Sequence, residues 1–385
     1  MAEADVGALT PRRYPTTLAD VIRLRRGQVV AVRGRRPGAV ELDVRLGDGT
    51  AVRALAYPDL TGEPVVGESA LLNTTALERG LGTGGLALVA ALPDRDDDAL
   101  PAGPRGAPGH VVKARYTPLQ TMVLGVDEQE SPHHAALADA DDLGGMPVVV
   151  ADLHSALPAV VAGLRHDRPD ARVAYVMTDG GALPAAFSST VAGLREAGWL
   201  AACLTVGQAW GGDHEAVTVH SALLAARLVV GADVAVVAQG PGNLGTGTRW
   251  GFSGVVAGEA VNAAGTLGGR PVASLRVSQA DARERHRGVS HHSRTAYGRV
   301  ALLPADVPVP VLDGEVGALV RAHVDELVAG SAGRLTPYDV PVTDLEPALR
   351  ACPVPLRTMG RGYDDDPASF LAAAAAGRHA ATPLT

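Results

Sequence analysis

Pro147-Val148-Val149-Val150-Ala151 is a short, wholly apolar run, and Asp152-Leu153-His154 breaks it with polar groups before a helical pattern begins. A strand covered by helices on both faces reads this way, because neither face meets water. The unit recurs in the runs Arg172–Met177, Leu200–Val206, Asp233–Ala238 and Pro271–Val277. Between them lie His154–Arg165, Leu183–Ala197, Glu215–Val230 and Trp250–Leu267, with apolar residues at helical spacing. Such alternation predicts right-handed crossovers and a doubly wound, mostly parallel, Rossmann-like α/β domain over residues 145–345. A helix over Gly314–Ala329 precedes a Pro-rich tail, and Asp364–Ala376 is expected to form a last short helix in a C-terminal extension, 346–385.

Upstream the period changes. Gln28–Arg33, Val40–Leu46, Ala51–Ala56, Ser69–Asn73 and Leu86–Ala90 are strand-like, separated by turn signals such as Arg36-Pro37-Gly38 and Gly47-Asp48-Gly49. So few short strands hide their edges best by closing, which predicts a small β-barrel within residues 21–125. Arg95–Gly109, Asp-rich and then Pro/Gly-rich, reads as a linker, whereas His110–Gly125 is strand-like and fits either the barrel or a bridge to the second domain. Residues 1–20 lack the apolar core of a signal peptide and are expected to be extended or disordered.

Composition narrows the partners. A chain of 385 residues exceeds what one core usually serves, and 46% hydrophobic with 20% charged residues is ordinary for a globular protein. The net charge of −8 argues against nucleic acid, whose binders gain affinity by releasing counterions from basic surface. No apolar run is long enough for a membrane span, so a membrane is not an expected partner. Cys203 and Cys352 form no CxxC pair, which fits a reducing, cytoplasmic setting. Oligomeric state stays open.

In open α/β sheets ligands sit beyond the carboxyl ends of the strands. Polar groups follow all five runs there: Asp152 and His154, Thr178-Asp179-Gly180-Gly181, Gly207-Gln208 leading to Asp213, Gln239 to Thr248, and Ser278. The fourth loop has five glycines between Gly240 and Gly251. With Gly240, Gly242, Asn243, Gly245, Thr246, Gly247 and Thr248 ahead of a helix, it predicts a cradle for phosphate or carboxylate. A plain connection capped by Thr248 is the competing account, and neither a Walker loop nor a dinucleotide fingerprint is present.

Asp179 and Asp213 could orient a ligand or a metal, and helix capping explains either alone. His133-His134, His214, His286 and His291-His292 show no zinc spacing, although Asp152, His154, Asp179, Asp213 and His291 or His292 could assemble one from separate strand ends. Arg276–Arg299 gathers Arg283, Arg285, His286, Arg287, His291, His292 and Arg294 in an acidic chain, which suits an anionic ligand; an amphipathic helix over Gln279–Arg287 is the alternative. Ser290 and Ser293 lack the GxSxG setting of a nucleophile. The string Leu81-Gly82-Thr83-Gly84-Gly85 echoes Leu244-Gly245-Thr246-Gly247-Thr248 without establishing a repeat.

The strings Leu71-Leu72-Asn73-Thr74-Thr75-Ala76, Leu81-Gly82-Thr83-Gly84-Gly85, Gly109-His110-Val111-Val112-Lys113-Ala114-Arg115-Tyr116-Thr117-Pro118-Leu119-Gln120 and Gln239-Gly240-Pro241-Gly242-Asn243 resemble a bacterial family known only as a domain of unknown function, number 3866. The resemblance spans nearly the whole chain and implies no activity. It does imply that the segment holding Lys113, the chain's single lysine, belongs to the core protein, which makes Lys113 a candidate anion contact beside the ordinary reading of a surface lysine.

Three functions remain in view. The first is binding of a small anionic ligand, phosphate-bearing in one form, with Gly240 to Thr248 as cradle, Arg276 as charge, and Asp179, Asp213, His291 and His292 as orienting or proton-transfer groups of a hydrolase or transferase. The second is a metal-dependent hydrolase built on strand-end Asp and His. A non-enzymatic adapter that binds a protein or nucleic acid through the barrel is the third. No cofactor is specified by any of these patterns.

Overall fold

The computed structural model describes residues 22–80, 82–95 and 108–382. The expected N-terminal segment 1–20, Leu81 and most of the Arg95–Gly109 linker lie outside them. Chain contacts divide the protein into a unit of residues 1–35 with 40–97 and a unit of residues 36–39 with 98–385.

The first unit is a closed five-stranded barrel of β1 (Leu24–Arg36), β2 (Ala39–Leu46), β3 (Ala51–Ala56), β4 (Ser69–Asn73) and β5 (Ala87–Ala91), in the order β1-β2-β3-β5-β4. β1 pairs with β4 and closes it, so no strand edge is left open. Alternation sets the inside: Val40, Leu42, Val44 and Leu46 of β2 point inward with Ala54, Ala56, Leu72 and Val89.

In the second unit β6 (Val111–Lys113) and β7 (Thr121–Val123) form a hairpin. This settles the open reading of His110–Gly125, because Lys113 is fully buried, donates to the Gly207 carbonyl at 2.8 Å and stands 3.2 Å from the Glu215 carboxylate. The lysine is neither a surface cation nor free for an anion. It ties the hairpin to the main sheet.

That sheet has eight strands, all parallel: β8 (Pro147–Val150), β9 (Val173–Thr178), β10 (Ala202–Val206), β11 (His214–Ala216), β12 (Val234–Gln239), β13 (Arg270–Ala273), β16 (Ala305–Val311) and β17 (Leu335–Pro341). Their order is β11-β10-β9-β12-β8-β13-β16-β17, and β14 (Val277–Ser278) pairs with β15 (Gly288–Val289) outside it. Five strands fall on the expected runs; β11, β16 and β17 were not anticipated. β17, with Pro337 and Pro341, falls in the expected Pro-rich tail, and β16 ahead of the helix carries Pro308 and Pro310; proline lacks the ladder donor, so neither segment reads as a strand. β16 meets β13 only at Val272↔Asp306 but runs along β17 for its full length. Pro308 and Pro310 share the parity of Asp306, so the missing donors fall on the β13 side and end that ladder early.

β8 has apolar side chains on both faces. Val148 and Val150 pack with Ala257, Ala260 and Val261, whereas Val149 and Ala151 pack with Leu157, Val160 and Val161. The helix after β8, Leu157–Asp167, and the helix after its neighbour β12, Ala257–Thr266, therefore lie on opposite faces. Chain paths that part between adjacent strands open a crevice at the carboxyl edge.

The C-terminal stretch is core, which corrects the expectation of an extension over 346–385. Its helix runs Pro367–Ala381 and is mostly buried alanine. It lies so close to Leu157–Asp167 that a Cβ at Gly163 would overlap the Ala374 carbonyl, and one at Gly377 the Val160 carbonyl. No helix among the described residues is long and apolar enough to cross a membrane.

Candidate functional site

The crevice is built around Asp152, just past β8. Gln239 ends β12, and its Nε2 donates to the Asp152 carbonyl (2.8 Å) and to Asn243 Oδ1 (3.1 Å). Three buried side-chain atoms here lack a hydrogen-bond partner: Asp152 Oδ2, Thr178 Oγ1 and Gln239 Oε1. All three residues line one cavity of about 10 Å³, the space of a single water. A second cavity, of about 20 Å³, lies between Asp152, Ser155, Ser274, Arg276 and Thr358. Both are far below the several hundred Å³ of a drug-sized pocket. In this conformation the crevice fits ion-sized or water-sized groups.

Past β13 the β14–β15 ladder folds Arg276 back onto the histidine segment. Ser290 N–H donates to the Arg276 carbonyl (2.8 Å), and Arg276 N–H donates to Ser293 Oγ (2.9 Å). Ser290 also caps the helix His291–Thr295, accepting the His292 N–H at 3.2 Å, and lies 2.8 Å from His286 Nδ1. Both serines are fully buried and structural, which leaves neither as a nucleophile. Gln279–Arg287 does not form the amphipathic helix considered from sequence; only Glu284–His286 is helical, and Asp281 clasps Arg283. Sequence reasoning missed Asp366, fully buried, which accepts from Ser278 Oγ (2.6 Å), Gln279 N–H (2.9 Å) and Arg361 (3.1 Å) and so anchors this segment. A lone Asp ahead of an alanine-rich helix gives no signal beyond capping.

Arg276, nearly buried, directs Nη1 to His292 Nδ1 at 3.0 Å and lies 3.7 Å from Asp152 Oδ2, which is 3.6 Å from His292 Nδ1. Phe252 stacks flat on His292 with ring centres 3.8 Å apart. His286, His291 and His292 each offer a ring nitrogen, all within 4.8 Å of one another. His291 Nε2 is buried without a partner. Burial pushes the His286 pKa down to about 3, helped by Arg276 and Arg283. Burial likewise lowers His291 to about 4, with His292, Arg285 and Arg276 adding repulsion and Asp152 opposing. Both imidazoles are neutral at neutral pH, in a positive local field, although the whole chain is acidic.

The glycine loop is used differently from the expected cradle. Gly240 is small because a Cβ there would overlap the Ala182 carbonyl, and Gly181 because a Cβ would overlap the Gly240 carbonyl. Gly242 and Gly247 have positive φ. Gly245 bridges Phe252, Thr246 N–H donates to the Gly251 carbonyl (2.7 Å), and Gly251 N–H donates to Thr248 Oγ1 (3.1 Å). Asn243 Oδ1 accepts from Gln239 and Ser253. The helix Ala257–Thr266 starts only after a 3-10 turn, Ser253–Val256, so the loop does not feed a helix N-terminus directly.

The other strand-end groups are engaged locally. Asp179 Oδ2 accepts the Gln208 N–H (3.0 Å). Asp213 accepts the Cys203 N–H (2.7 Å) and pairs with Arg195 (2.6 Å). His154 is buried with Nδ1 2.9 Å from Tyr175 Oη and Nε2 2.8 Å from Ser188 Oγ, so neither nitrogen is left for a metal. Of the residues singled out from sequence, the fold gathers Asp152, Arg276, His286, His291 and His292, and leaves Asp179, Asp213 and His154 to structural bonds.

A family model described as "Protein of unknown function (DUF3866)" matches residues 53–377, most of the chain and both of its units. No curated protein and no solved structure matches.

Proposed function

We propose, for a chain that belongs to the DUF3866 family, that the carboxyl edge of the parallel sheet binds a small anion at Arg276 and hydrolyses or transfers a group on it. The supporting observation is the near-buried Arg276 guanidinium beside neutral His286 and His291, a positive point in a chain of net charge −8. A buried arginine suits a carboxylate or phosphate because its planar fork bonds two oxygens at once. Asp152 balances it at 3.7 Å, too long for a hydrogen bond, which leaves guanidinium donors for a ligand. His291 and His292 stand where a proton could be accepted, and Gly240 to Thr248 form the wall, with Leu244 and Trp250 exposed on its rim. Asp179 and Asp213 act on the loop scaffold in this reading.

Thermal melting of chelator-treated protein with inorganic phosphate, nucleotides, sugar phosphates and dicarboxylates tests this. At least one anion should raise the melting temperature of the wild type, and Arg276→Gln should abolish the rise while keeping its own fold. A panel with no effect on the wild type, or a shift that survives Arg276→Gln, rejects the reading.

A further inference from the structure

We propose that His286, His291 and His292 form a three-imidazole site for a divalent transition-metal ion of the zinc type, with Asp152 as the partner that orients His292. The donor set selects the metal: three imidazole nitrogens suit zinc, cobalt or nickel, whereas magnesium and calcium require oxygens. Tetrahedral bonds of about 2.0–2.1 Å place ligand nitrogens roughly 3.3 Å apart. The three nitrogens already lie within 4.8 Å of one another, so binding needs them to close by roughly 1.5 Å.

Two buried atoms point independently to a ligand. His291 Nε2 and Asp152 Oδ2 both lack hydrogen-bond partners, a costly condition that a metal ion and the rearrangement it drives would relieve. Ser290 Oγ beside His286 Nδ1 leaves His286 Nε2 available. His292 Nδ1 now faces an Arg276 N–H, so its proton sits on Nε2. On metal binding that proton moves to Nδ1 and is donated to Asp152 Oδ2, 3.6 Å away, while Arg276 shifts to the same carboxylate. The proton changes nitrogen, and none is gained or lost. A carboxylate holding a metal-bound imidazole in this way fixes both tautomer and ring direction. His291 is partly buried, between the buried His286 and His292.

The site shares His291, His292, Asp152 and Arg276 with the anion reading but does not rest on it, and it is tested without an anion. Chelator-treated protein in phosphate-free buffer is titrated with Zn²⁺ by calorimetry and with Co²⁺ by visible absorption. One ion per chain with a tetrahedral Co²⁺ spectrum is expected. His286→Gln and His291→Gln should each weaken binding by at least about 100-fold, and Asp152→Asn by about 10-fold. Circular dichroism and melting identify a variant that fails to fold, in which case His291→Gln, at the least buried of the three positions, carries the decision. Absence of one-to-one binding by the wild type, or undiminished binding by folded His291→Gln, overturns the site. Phosphate stabilisation of the chelator-treated protein is read separately, so either proposal can fall alone.

Discussion

The glycine loop Gly240–Gly251 and the histidine segment Arg276–His292 both border the crevice, and their sequences advertise them in opposite ways. The loop has the composition of a ligand cradle, yet its glycines answer to backbone crowding and positive φ, and its hydroxyls are bonded within the loop. The histidine segment has no metal spacing, yet it gathers three imidazoles, an arginine and the unpartnered His291 Nε2 close to the unpartnered Asp152 Oδ2. Glycine content reports what the backbone must do, whereas unmet polar atoms report what is still needed. A buried polar group without a partner costs about 1–3 kcal/mol, so its persistence points to function more directly than composition does.

The largest effect expected separates satisfied from unsatisfied histidines. His154 is buried and doubly bonded, and burial lowers its pKa to about 4. The unfolded chain takes up the proton first, so the stability His154 contributes is complete above pH ~6.5 and is lost as pH falls toward 4. Over that window the loss is about 3 kcal/mol. Urea unfolding of His154→Gln should show a stability that varies correspondingly less between pH 6.5 and 4.5; equal slopes for variant and wild type would contradict the dry, neutral assignment.

Within the loop, Gly240→Ala should destabilise by about 2 kcal/mol, because the new methyl overlaps a backbone carbonyl of the neighbouring strand end. Asp213→Ala should cost about 1 kcal/mol, the value of a lost acceptor for the Cys203 N–H, and leave anion binding intact. The smallest change expected is for Gly245→Ala. Its φ is not in the left-handed region and the nearest atom is 3.9 Å away, so stability should stay within about 0.5 kcal/mol and anion binding should persist. Loss of anion binding in that variant would restore the cradle and reverse the contrast between loop and histidine segment.

Much of the fold was legible. Turn residues and strict alternation place all five barrel strands, and the five apolar runs match β8, β9, β10, β12 and β13. β16 and β17 were hidden by prolines whose missing donors matter only once neighbouring strands are known. The core role of Pro367–Ala381 was hidden because alanine is a weak hydrophobic signal until two helices meet at glycine. At the site, His291, His292 and Arg276 were readable as polar groups beyond a strand, but Asp366 and the ties of Asp179, Asp213 and Lys113 were not.

What the sequence determined by itself was the class of each segment and the edge of the sheet where polar groups collect, since periodicity, turn chemistry and the two-faced burial of a parallel strand are set within about ten residues. Only the tertiary structure decided which polar groups are spent and which are free. That distinction depends on distances of about 3 Å between residues far apart in the chain: Lys113 meets Gly207 and Glu215, and Asp366 meets Ser278. Hydrogen bonds act over that range alone, and no local pattern encodes them.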